Sequence, residues 1–178
     1  LVHLEEEQIP HPELYLLFTI CEEAGMFGAK YLDYSRVSAQ QVVVLDAGGP
    51  PGTIIIQAPA KVDFQIVFKG RAAHAGIEPE QGIHAIKLAA QAISAMPLQR
   101  IDGQTVANLG FIHGGGPTNI IPDEVQVTGE ARSQCPERLA KHLKKLRQCC
   151  QQAVDSHGGS FHFQDELSYP ALDIDPDS

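Results

Sequence analysis

Apolar positions along the chain change their period near residue 61. Upstream they come in nearly unbroken runs: LYLLFTI (Leu14 to Ile20), QVVVLDAGG (Gln41 to Gly49) and TIIIQAP (Thr53 to Pro59). Such runs are the form of strands buried on both faces of a sheet, because neither side of the strand meets water. The segment EEAGMFGAKYLD between the first two predicts a helical turn, so the opening part reads as strand, helix, strand, followed by a third strand candidate that Pro59 closes. From Lys61 the pattern alternates, with Val62, Phe64, Ile66 and Phe68 on one face, as in a half-buried antiparallel strand. A second domain is expected to begin there.

The segment QGIHAIKLAAQAISAM places Ile83, Ile86, Ala90, Ile93 and Met96 on one helical stripe, ended by Pro97. Two strands follow, TVANLGFIHG and DEVQVTGEARS, joined by GGPTNIIP, which is longer than a tight hairpin requires. PERLAKHLKKLRQCCQQAVDSHGG then opens with Pro136 in its first turn, lines up Leu139, Leu143, Leu146, Cys150 and Val154, and ends at a Gly158 cap. Ser160 to Glu166 supplies a last alternating strand. The order β, α, β, β, α, β from Lys61 to about Glu166 is that of a ferredoxin-like sheet with two helices on one face. The expected division is 1–60, 61–166 and a return segment, 167–178. Leu1 begins inside an apparent helix and YPALDIDPDS ends without a closing element, so both ends read as cut.

Composition narrows the class of partner. Thirteen basic against twenty-two acidic side chains give a formal net charge of -9, which repels phosphate backbones and argues against nucleic acid. No apolar run reaches the length of a membrane span, and the N-terminus has neither a basic start nor an apolar signal core. A cytoplasmic protein is expected, without a membrane partner. Cys149 and Cys150 are adjacent on a predicted helix, and Cys21 and Cys135 show no framework spacing, so all four read as reduced thiols.

Chemistry concentrates in FTICEEAGMFGAK, where Glu22 and Glu23 stand at the C-terminal end of an expected buried strand. Open α/β sheets place their sites at such ends. Adjacent carboxylates repel unless a cation or a proton neutralises one, and a bound metal does so while a second carboxylate moves protons for hydrolysis. An acidic first turn of a helix explains the pair equally simply. Asp46, at the end of the next expected strand, would aim a third carboxylate at the same place; an Asx turn ahead of Gly48 and Gly49 is its plain alternative. Gly114 to Gly116 lacks the Lys and Ser or Thr of a phosphate loop, and the histidines other than His74 show no ligand spacing such as HExxH.

These segments resemble a known family, the zinc-dependent exopeptidases and deacylases that include tripeptide aminopeptidase, called peptidase T, and carboxypeptidase G. FTICEEAGMFGA is similar to its glutamate-pair motif, VVLDAGGPPGTIIIQAPA to its next aspartate motif, and GRAAHAG and GGGPTNIIPDEVQVTGEARS to its lid motifs. The resemblance implies an α/β (α+β) chain: part of a zinc-peptidase catalytic domain, then a ferredoxin-like βαββαβ lid and dimerisation domain. It implies Glu22 as general base, Glu23 and Asp46 as ligands of a pair of zinc ions, His74 as stabiliser of the oxyanion, and Asn119 and Arg132 as substrate-binding residues. Without it, His74 and Asn119 read as turn residues and Arg132 as a solvated strand-end charge. The implied partners are a short peptide with a free amino terminus and a second copy of the chain, paired through the lid. The family's upstream His and bridging Asp, and a further His near its C-terminus, have no counterpart here. Two carboxylates fall short of the three or four ligands that zinc takes, so this chain alone is expected to be inactive. A deacylase or carboxypeptidase of the same clan, or a ferredoxin-like self-association module without catalysis, are the rival readings.

Overall fold

The computed structural model describes residues 2–175 other than 24, 47 and 51. The chain divides into two compact units, Leu1–Thr53 and Ile54–Ser178.

In the first unit the described elements are helix α1 (Val2–Glu6), the four-residue helix α2 (Phe27–Lys30) and a single 3-10 turn at Tyr34–Arg36. The expected helical turn forms as α2: Gly25 takes φ +111°, and Gly28 packs so closely on Ile20 that its amide donates to the Ile20 carbonyl at 2.9 Å. The strands expected at 14–20 and 41–46 do not form among the described residues. Phe18 is 89% exposed and Leu45 94% exposed. The physical reason is that a strand belongs to its ladder: with no strand among the described residues of this unit to pair the backbone, an apolar run stays in solvent. The turn expected after Asp46 runs through Ala47, which lies outside the described residues.

The second unit opens with β1 (Gln57–Ala58), which pairs antiparallel with β7 (Leu172–Asp173). The third strand candidate thus shrinks to two paired residues, and Ile54 ahead of them is exposed. The main sheet is built from β2 (Ala60–Lys69), β3 (Gln99–Arg100), β4 (Thr105–Gly114), β5 (Glu124–Ser133) and β6 (Ser160–Tyr169), in the order β3-β4-β5-β2-β6 with every pair antiparallel. Helices α3 (Ala85–Ala95) and α4 (Pro136–His157) fall between β2 and β4 and between β5 and β6. This is the ferredoxin-like order expected from the alternation.

One face of the sheet is apolar because β2 alternates strictly: Val62, Phe64, Ile66 and Phe68 are all buried. Phe64 stacks on Phe163 of β6 with ring centroids 5.4 Å apart. Helix α3 meets this face through Ala85, Leu88, Ala89 and Ala92; of the expected stripe, Met96 is buried and Ile83 and Ile93 pack against the core, while Ile86 and Ala90 are exposed. Alanines on the buried side bring the helix close to its neighbours, a packing that larger side chains would prevent. Helix α4 buries Leu139, Leu143, Leu146 and Cys150 as its period predicts, with His142, Cys149 and Ala153 added and Val154 only half-buried. Its turn into β6 uses Gly158 and Gly159 at φ +78° and +85°, conformations that cost glycine nothing.

Candidate functional site

The candidate residues divide between the two units. Glu22, Glu23 and Asp46 belong to the first, and all three are exposed. Among the described residues no three His, Cys, Asp or Glu side chains gather as a metal ion would require. The described side chains, as they are placed, therefore do not make a zinc site by themselves.

In the second unit, two loops carry His74 and Asn119. The segment after β2 pairs with itself, the Arg71 and Ile83 backbones bonding both ways at 2.9 Å, and turns through His74. The β4–β5 loop docks onto it: the Ala75 amide donates to the Asn119 carbonyl at 2.8 Å, and the Ile121 amide to the Ala73 carbonyl at 2.9 Å. Far from hanging loose, the glycine-rich loop is tied to the histidine segment by its backbone. Half-buried His74 accepts a hydrogen bond at Nδ1 from the Gly76 amide, 3.2 Å away. A neutral ring that accepts at Nδ1 carries its proton on Nε2. The outer nitrogen is thus a donor, as stabilisation of an oxyanion needs.

Arg132 lies elsewhere. It is the ninth residue of β5, pairing with Lys61 near the start of β2, whereas the His74 segment follows Lys69 at the end of β2. At about 3.3 Å per residue the length of β5 separates these ends by some 25 to 30 Å. The structure brings His74 and Asn119 together and leaves Arg132 at the opposite end of the sheet.

Arg132 sits on the face of the sheet opposite the helices, in a cluster of alternating charge. Its Nε donates to Glu130 Oε1 at 2.7 Å and its Nη2 to Glu130 Oε2 at 3.1 Å. Lys61 Nζ lies 3.0 Å from Asp63 and 3.4 Å from Glu130, and Ser168 donates to Asp63. The hydrogen bonds from Arg132, opposed by partial burial, hold the Glu130 carboxyl below the usual range. Burial pushes Asp63 up, but its bonds to Ser168 and Lys61 outweigh this and hold it below its ordinary value. Lys61 and Arg132 are raised in turn, each chiefly by its carboxylate partner. Glu130 and Lys61 escape notice in the sequence; the available signal is the i, i+2 spacing of Glu130 and Arg132, which puts both on one side of a strand.

Residues 60–157 match the family described as peptidase dimerisation domain. The chain is 42% identical to the uncharacterized protein YqjE of Bacillus subtilis over 95% of its own length and 46% of the relative's. Among solved structures it resembles aminopeptidase PepT of Bacillus cereus, at 37% identity and a TM-score of 0.86, covering 98% of this chain and 47% of that one. It also resembles a tripeptidase of Staphylococcus aureus, at 36% identity and a TM-score of 0.92 over the same shares. The chain spans about half the length of these relatives. Among the described residues no helix is long and apolar enough to cross a membrane.

Proposed function

The chain belongs to the M20 peptidase family, whose dimerisation domain it carries, and from that premise we propose that the full-length protein is a peptidase T-like metallo-aminopeptidase. It would release the N-terminal residue of short peptides, tripeptides above all. The observation that carries this reading is the match of 98% of the chain, at 36% and 37% identity, to a tripeptidase and to an aminopeptidase PepT. Residues 1–60 are then part of the catalytic domain, 61–166 the lid, and 167–178 the return segment.

Within this reading Glu22 takes a proton from the attacking water and delivers it to the leaving amine. His74 donates from Nε2 to the tetrahedral oxyanion, Asn119 binds the peptide beside it, and Arg132 grips a terminal carboxylate. Zinc is the proposed metal, with Glu23 and Asp46 as two of its ligands. No three possible ligands gather among the described residues, and the isolated chain is proposed to be inactive, with the remaining ligands supplied by the rest of the full-length protein. The distance between the His74 loop and Arg132 supports a homodimer joined through the lid, in which the histidine of one subunit serves the site of the other. The proposed location is the cytoplasm, in keeping with free thiols at Cys21, Cys135, Cys149 and Cys150.

The test is hydrolysis by the full-length protein of a free-amine tripeptide against its N-acetylated and dipeptide counterparts. Preference for the free-amine tripeptide is expected. Preference for the N-acylated substrate would move the assignment to a deacylase of the same clan, and cleavage from the carboxyl end to a carboxypeptidase. Absence of any hydrolysis in the metal-loaded dimer would leave the self-association module as the reading.

A further inference from the structure

The cluster around Arg132 carries an inference that rests on the reading of Arg132 as the carboxylate-binding residue. Glu130 engages the guanidinium side-on, through Nε and Nη2, with both carboxylate oxygens used. Side-on engagement leaves the opposite edge, Nη1 and the second proton of Nη2, without a partner among the described residues. That edge is the one that can take a second carboxylate end-on. Glu130 is itself held from behind: Lys61, joined to Asp63 at 3.0 Å and paired across the strands with Arg132, approaches its Oε2 at 3.4 Å. Asp63 is fixed by Ser168 on the next strand. The chain of contacts runs from β6 through β2 to β5, so rigid backbone ladders hold the guanidinium from three strands.

A flexible arginine loses side-chain entropy when it binds a ligand; one already anchored has lost it on folding. We propose that Glu130 is a positioning residue: it fixes Arg132 so that the free edge of the guanidinium is presented to the terminal carboxylate of a peptide, and so sets the preference for a free carboxyl end. Glu130 does not touch the substrate. Lys61 neutralises the carboxylate's excess negative charge, which would otherwise repel the approaching carboxylate.

The experiment compares a tripeptide with its C-terminal amide on the full-length, metal-loaded protein carrying Glu130→Gln, Glu130→Asp or Arg132→Ala. The readout is the ratio of KM for amide over KM for free acid. Arg132→Ala is expected to collapse this ratio to near one. Glu130→Gln, which keeps shape but not charge, is expected to cut it about tenfold, in the range of a lost charge-assisted contact. Glu130→Asp should recover part of it, and Glu130→Gln should add nothing in the Arg132→Ala background. A second readout is independent of activity: in the present chain the Arg132 Nε–H resonance should exchange slowly with solvent and become fast in Glu130→Gln. If Arg132→Ala leaves the ratio intact, the assignment of Arg132 fails and takes the inference with it. If Arg132→Ala collapses the ratio while Glu130→Gln changes neither it nor the Nε–H exchange, the positioning role alone is overturned.

Discussion

The two units of this chain begin from similar raw material and end differently. Leu14 to Ile20 in the first unit is more apolar than β2 in the second, yet Phe18 stands in solvent while Phe64, Ile66 and Phe68 are buried. Unit Ile54–Ser178 supplies both things a strand needs: neighbours on either edge of β2, and two helices to cover the apolar face. Each of those partners is joined to β2 by a connection inside the same unit. A run made to be buried on two faces needs more than that, namely a covering layer on each side, and the first unit has neither among its described residues. Alternating patterns can thus be satisfied by one helical layer, whereas unbroken apolar runs cannot.

The sharpest way to test this contrast is to truncate an apolar side chain in each unit. Leu146 is fully buried where α4 meets the sheet, so Leu146→Ala is expected to cost about 2–5 kcal/mol through lost burial and the cavity left behind. Urea unfolding followed by circular dichroism measures it. A cost below about 1 kcal/mol would mean that α4 is not anchored as described.

The same contrast explains what could be read from the sequence. The second unit was legible because alternation at Val62, Phe64, Ile66 and Phe68 is a local signal, and so is the heptad-like spacing of Leu139, Leu143 and Leu146. The inward face of helix α3 is legible only in part: Ile83, Ile93 and Met96 pack on the core as their spacing predicts, but Ile86 and Ala90 are exposed and Ala85, Leu88, Ala89 and Ala92 face inward, small side chains there letting the helix come close to its neighbours. In the first unit the runs report what the residues would bury, and carry nothing about whether a neighbour exists. The link between His74 and Asn119 rests on a backbone hydrogen bond between distant loops, which no spacing reveals. Glu130 was invisible for a similar reason. A Glu two residues before an Arg reads as solvated charge until the pairing of β5 with β2 places Lys61 beside it.

A smaller effect should separate the units by pH. His142 is 5% exposed on the buried face of α4, and its Nε2 has no hydrogen-bond partner among the described residues. Burial depresses its basicity, only partly offset by the nearby Asp102 carboxylate, so the fold holds the ring neutral. The unfolded chain takes up a proton near pH 6.5. Because the folded pKa lies below that value, the contribution is fully present above pH 6.5 and is lost as pH falls through the folded pKa. The second unit should therefore lose stability as pH falls below about 6.5, and His142→Leu should flatten that slope. An unchanged slope in the variant would assign the acid sensitivity to other groups.

The smallest expected effect is the most informative about the first unit. Leu45 and Phe18 are almost wholly exposed, so Phe18→Ser and Leu45→Ser remove no packing in this chain and should shift its unfolding free energy by no more than about 0.5 kcal/mol. Solubility should rise, because large exposed apolar side chains favour association. The same two substitutions in a full-length protein have a different expected outcome if the runs there become strands covered on both faces. A buried Phe replaced by a small polar residue costs about 3–5 kcal/mol. The comparison of the two measurements decides the matter: near-zero cost in the chain with a large cost at full length means that these residues acquire their neighbours from the rest of the protein. Equal, small costs in both would mean that Phe18 and Leu45 stay exposed, and that Glu22 and Asp46 have no buried strand ends to stand on.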